Sequence, residues 1–122
     1  MWVMTPRGFY SVVQHRDEPT KVMVRGRCEE DLVAVTELIH KDQRTEIERT
    51  PRADYGWRFT TSAVAWASAV SQMVLEIDYD NFKNSVKDAK HHNAYSRVWG
   101  VLHSLSDDGL DFDYESAWDE AE

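Results

Sequence analysis

A single cysteine, Cys28, occurs in the 122 residues. No disulfide can therefore close within the chain, and a reducing, cytoplasmic setting is the expectation. Arg27 is the only neighbour that would lower the thiol's pKa, and Glu29 and Glu30 oppose it, so the thiol reads as inert. No stretch approaches the ~18 consecutive apolar residues of a membrane-spanning helix. The opening Met1-Trp-Val-Met-Thr-Pro-Arg7 lacks the basic start and apolar core of a secretory signal. Glycine is scarce and scattered (Gly8, Gly26, Gly56, Gly100, Gly109), which excludes a glycine-rich phosphate loop. There is no G-x-S-x-G, Cys-x-x-Cys or His-x-x-x-His motif either.

Basic residues are missing from one place in particular. From Asp107 to Glu122 the chain carries 8 acids and no lysine or arginine, which leaves 14 acids against 14 bases before it. The body is formally neutral, and the whole net charge of −8 sits in the last sixteen residues. Direct binding to nucleic acid is not expected, because phosphates call for a basic face. A basic protein partner fits the charge better.

What is present is the material of one folded domain. An apolar content of 42% with dispersed aromatics argues against disorder for most of the length. Short strands are expected at residues 2–5, 9–14 and 21–28, the last with Val22 and Val24 on one face and Met23 and Arg25 on the other. The period then changes. Leu32, Val35, Leu38 and Ile39 recur at helical spacing, and Glu29, Glu30 and Asp31 occupy the first turn, where the helix dipole favours acids. Further strands are expected at 45–50 and 57–61, with Trp57 and Phe59 facing together.

Helices follow. Ser62 is placed to cap one whose stripe is Ala63, Trp66, Ala67, Val70, Met73, Val74 and Ile77. Asp78 or Asp80 is placed to cap a short helix with Phe82 and Val86. Asn93 is placed to start the last, with Ala94, Val98, Leu102 and Leu105 on one side and Tyr95 and Trp99 beside it. The order β-β-β-α-β-β followed by helices predicts an α+β domain over 1–106, its mostly antiparallel sheet covered on one face in ferredoxin-like layers. Residues 107–122 form an acidic, aromatic tail.

Candidate chemistry is sparse. His92 and His103 are eleven apart on a helix, roughly 16 Å along the axis, too far to share a metal. Asp88 and His92 at i, i+4 would need further ligands such as His15 or His40. Asp78-Tyr-Asp80-Asn opens like a calcium loop but continues with Phe82 and Lys83 where an acid or amide and a glycine belong. In the tail, Asp111, Asp113, Glu115, Asp119 and Glu122 match the EF-hand register, yet Ser116 holds the glycine position and no exiting helix follows. No metal, no cofactor and no catalytic residue are expected.

The tail alternates acid with aromatic. Asp111, Phe112, Asp113, Tyr114 and Trp118 combine steering charge with anchor side chains, a fit for a basic, apolar groove on a protein partner. The chain also resembles a group of small proteins found in actinobacteria and their phages, a group that brings no established activity with it. The matching stretches are Met1-Trp-Val-Met-Thr with Gly8-Phe-Tyr-Ser-Val-Val, Val22-Met-Val-Arg25, Thr50-Pro-Arg-Ala-Asp-Tyr55, Asp78-Tyr-Asp-Asn-Phe-Lys83 and Tyr95-Ser-Arg-Val-Trp99. The resemblance covers most of residues 1–105, leaves out the tail and carries over no catalytic residue.

The expected function is a non-enzymatic interaction or regulatory protein, such as a phage accessory factor acting on a host protein, with the tail as contact element. The expected partners include no membrane and leave room for a homo-oligomer. One alternative is a small enzyme or ligand-binding module with a site near Asp78, Asp80, His91 and His92. A second is an acidic mimic of nucleic acid.

Overall fold

The computed structural model describes residues 1–107, which fall into two compact units, Met1–Asp78 and a second that begins at Tyr79. The tail residues Asp111, Phe112, Asp113, Tyr114 and Trp118 lie outside the described residues.

In the first unit the strands are β1 (Trp2–Thr5), β2 (Gly8–Gln14), β3 (Lys21–Gly26), β4 (Glu48–Arg49) and β5 (Trp57–Ser62). The helices are α1 (Glu29–Thr36) and α2 (Ala63–Leu75). The expected β-β-β-α-β-β order is the one observed, and the class is α+β. All pairings are antiparallel, in the spatial order β1-β2-β3-β5-β4. Residues directly opposed across a ladder share a face. Val12 opposes Val24, which opposes Phe59; with Tyr10 two places from Val12, these line the face that α1 and α2 cover. They pack into one core with Leu32, Val35 and Ile39, and with Ala65, Trp66, Ala69 and Met73. The alternation expected for β3 holds, with Val24 fully buried and Arg25 on the opposite face.

Helix α1 carries its three acids in the first turn and buries Leu32 and Val35. It ends at Thr36, short of the expected Leu38 and Ile39, because the chain tightens. The amides of Leu38 and Ile39 bond three residues back, to the carbonyls of Val35 and Thr36 at 3.0 and 3.1 Å. Such a turn still delivers Ile39 to the core. Strand β4 is likewise shorter than the expected 45–50. Glu48 pairs with Arg58, a register that would put Thr45 opposite Thr61, yet it is Arg44 that bridges Thr61. The extra residue makes a bulge, where the Thr45 hydroxyl accepts the Thr60 amide at 2.8 Å.

Arg7, in the β1–β2 turn, ties the sheet to both helix ends. One guanidinium nitrogen donates to the carbonyl of Ala34 at 2.6 Å and to Glu37 at 3.1 Å. The other two donate to the Glu76 carboxylate at 2.8 and 2.6 Å. Glu37 and Glu76 are the C-caps of α1 and α2, so a cation sits where both helix dipoles favour one.

Ser62 caps α2 as expected, its hydroxyl accepting the Ala65 amide at 3.0 Å. Ser62→Ala should lower stability by about 1 kcal/mol in urea denaturation. The buried stripe of α2 differs from the expected one. It is Ala65, Trp66, Ala69 and Met73, while Ala63, Ala67, Val74 and Ile77 are exposed. At 100° per residue the helix is turned by about a quarter of a revolution. Two alanines let the backbone approach the sheet, and Trp66 sets its ring edge-on to Tyr10 with centroids 6.1 Å apart.

In the second unit α3 (Phe82–Ser85) is capped by Asn81, whose side chain accepts the Asn84 amide at 3.2 Å. Neither Asp78 nor Asp80 takes that role. The next helix, α4 (Ala89–Leu102), starts four residues before the expected Asn93, because Asp88 caps it by accepting the His91 amide at 2.9 Å. Gly100 is absorbed without a break. Tyr95 is buried and Ala94, Leu102 and Leu105 are exposed, against the expected stripe. Tyr95 stacks on Phe82 (5.8 Å, 21°), and Phe82 meets Tyr79 at 6.1 Å. An aromatic side chain gains more from such a stack than the small Ala94 gains from burial.

Candidate interaction surfaces

The sheet face opposite the helices carries an arginine and tyrosine cluster. Arg25 and Arg58 oppose each other across β3 and β5. The guanidinium carbons of Arg25 and Arg27 lie 4.8 and 4.5 Å from the centroid of the buried Tyr55 ring. Arg25 also donates to the Ser11 hydroxyl at 2.8 Å, Arg27 to Asp54 at 2.8 Å, and Arg58 to the Thr50 hydroxyl and the Tyr55 carbonyl at 3.1 and 3.2 Å. The Asp54 carboxylate holds the Arg27 guanidinium above its ordinary pKa. These arginines hold the 50–56 loop against the sheet, so their donors are committed to structure.

Cys28 precedes α1 at its N-cap position and makes no side-chain capping bond. Burial pushes its thiol up to about 11, against the opposing pull of the Asp31 backbone amide. At neutral pH it is a protonated thiol, not a nucleophile.

Of the residues considered for an enzyme or ligand site, Asp78 and Asp80 are exposed, and His91 and His92 are half-buried in the first turn of α4. The Asp88 carboxylate, considered as a metal partner for His92, is held by His91 through both the backbone amide and ring Nδ1. Those bonds lower its pKa, the His91 side-chain bond most. This is a capping arrangement.

Two apolar surfaces stand out. At the end of α4, Val101 and Leu102 are 68% and 53% exposed, and Leu105, in the 3-10 turn that follows, is 80% exposed. They directly precede the acidic segment in sequence. In the first unit, the outer side of α2 presents Val64, 80% exposed, and Leu75, 78% exposed, with Ser68 and Ser71 between them. Not one of the thirteen residues of α2 is charged, in a chain that is 30% charged. Periodicity concealed this outer face, because apolar residues all round a helix leave its orientation open. The missing charge was the available signal.

No described helix is long and apolar enough to cross a membrane. No family model, curated protein or solved structure matches the chain.

Proposed function

We propose that the protein is a non-enzymatic interaction or regulatory protein that engages a protein partner through its C-terminal end, in the manner of a phage accessory factor acting on a host protein. The observation that carries this reading is the exposure of Val101, Leu102 and Leu105 immediately before the acid-rich sequence. Exposed large aliphatics are costly unless something covers them. Asp111, Phe112, Asp113, Tyr114 and Trp118 follow them in the sequence and supply the further apolar and negatively charged side chains of the contact element. Its complement is a groove with an apolar floor and a basic rim, in which the aromatics anchor and the acids steer.

Affinity capture from host lysate with the full chain, with the chain truncated after Ser106, and with Leu102→Ser/Leu105→Ser tests this. A specific partner should be retained by the full chain, lost by the truncation and weakened at least ~10-fold by the double variant, the loss of two apolar anchors. Its affinity should fall as salt is raised from 50 to 500 mM, since exposed charges are screened over roughly 10 Å at 0.1 M. An unchanged partner set after truncation would remove the C-terminal end from the function.

A further inference from the structure

The acids that precede Asp107 are unevenly placed in the fold. Only Glu48 lies in a strand, and β1, β2, β3 and β5 carry none. On the side of the sheet away from α1 and α2 the ladders set up one row. Trp2 opposes Ser11, Ser11 opposes Arg25, and Arg25 opposes Arg58. With strands about 4.8 Å apart, the row runs about 14 Å from the tryptophan to the second arginine. Alternation puts Phe9 of β2 and Met23 and Lys21 of β3 on the same face.

Trp2 is 72% exposed. Its ring meets that of Phe9 edge to face, with centroids 5.7 Å apart and planes at 79°. The carbonyl of Met1 accepts the Val12 amide at 2.8 Å, so the backbone that carries the indole is held in the sheet. Arg25 and Arg58 are half-buried, and like charges opposed across a ladder repel. Among the described residues they bond only to neutral groups. Arg25 donates to the Ser11 carbonyl and hydroxyl at 3.3 and 2.8 Å, and Arg58 to the Thr50 hydroxyl and Tyr55 carbonyl. These bonds fix both guanidiniums in place and leave both charges uncompensated. Lys21 and Arg27 differ, being paired with Glu18 and Asp54 at 3.4 and 2.8 Å.

From this we infer that the outer sheet face binds single-stranded nucleic acid, with a base stacked on Trp2 and the phosphate backbone crossing Arg25 and Arg58. An exposed indole beside fixed cations is the combination such a strand requires, since every base has a π-face and every linkage a negative charge. A duplex keeps its bases stacked on each other and offers none to Trp2. A protein segment anchors its side chains best in pockets, whereas an open sheet face presents flat rings. The neutral sum of the body argues against nucleic acid only where charges of both signs mix in space. On this face they do not.

Charge also sets the strength. The net charge of −8 repels a polyanion at long range and lowers the affinity. Two uncompensated arginines give log K a slope of between about −1 and −2 against log salt, at ~0.7 per phosphate neutralised on a single strand.

Fluorescence anisotropy of a labelled oligothymidylate of about twelve nucleotides, titrated with the full chain in 50 mM salt, should show saturable binding with that slope. Trp2→Ala should weaken it at least ~10-fold, the loss of one stacked base, with circular dichroism unchanged because the side chain is exposed. Trp2→Phe should recover part of the loss, and Arg58→Gln should flatten the salt slope. No binding up to about 500 μM protein, or binding indifferent to Trp2→Ala, would overturn the inference. So would equal affinity for a duplex of the same length, for free thymidine monophosphate or for a labelled oligoglutamate, the last of which would give the face to an acidic protein segment. None of these outcomes bears on capture of a partner by residues 107–122.

Discussion

Arg7→Ala should lower the stability of the protein by about 2 kcal/mol, the loss of two charge-assisted contacts of which only one is partly shielded from solvent. Its guanidinium is 23% exposed and the Glu76 side chain 34%, whereas the Glu37 side chain, at 68%, contributes little beyond a screened surface pair. The rest comes from the bond to the Ala34 carbonyl at the end of α1. Arg7→Lys keeps the charge but cannot make a forked bond to Glu76 while also reaching Ala34, so it should recover less than half of the loss. The effect has a pH signature. The bond from Arg7 is the largest influence on Glu76 and holds its carboxyl below its ordinary pKa. A carboxylate depressed in the folded state stabilises fully above its unfolded pKa of about 4.3, and that contribution disappears as pH falls through the folded value. Urea midpoints for the wild type and Arg7→Ala should therefore be furthest apart near pH 7 and converge below about pH 4. A gap that stays constant down to pH 3 would mean that Arg7 acts through packing and its bond to the Ala34 carbonyl, and not through Glu76.

The parts of this fold that the sequence discloses are those where one physical signal dominates. Alternation in Lys21–Gly26 leaves no choice of face, because Val24 must be buried and Arg25 cannot be. The acids of Glu29–Asp31 mark the start of α1 because nothing else at that point favours three carboxylates. Errors arise where two signals compete. Helix α2 is apolar on nearly every side, so its orientation follows from which residues let the backbone come close to the sheet, Ala65 and Ala69, and not from which are most hydrophobic. Asp78, Asp80, Asn81 and Asp88 are all able to cap a helix, and only backbone geometry chooses Asn81 and Asp88. The candidate surfaces divide in the same way. The acidic end is visible in composition alone. The outer stripe of α2 becomes visible only once the core-facing side is known.

Gly8→Ala should destabilise the protein strongly for a single-methyl change, by about 3 kcal/mol. Gly8 has φ +153, a backbone conformation that residues with a side chain rarely adopt. A methyl group there would overlap the side chain of Asp31, which is 4% exposed and has little room to yield. Asp31 is anchored to the same hairpin. Its carboxylate accepts the Phe9 amide at 3.1 Å, and its backbone carbonyl accepts the Tyr10 hydroxyl at 2.7 Å. Moving Asp31 aside would thus disturb the seat of α1 on β2. Backbone strain and overlap each cost about 1–3 kcal/mol, and alanine's restriction of the unfolded chain returns only about 0.4–1 kcal/mol, so the net sign is not in doubt. A double-mutant cycle separates the two costs. If overlap dominates, Gly8→Ala in an Asp31→Gly background should cost at least 1 kcal/mol less than in the wild type, since the obstructing Cβ and carboxylate are both gone. If backbone strain dominates, the cost should be the same in both backgrounds. Equal stability of Gly8→Ala and the wild type in urea denaturation would contradict both terms, and with them the close packing of the first hairpin against α1.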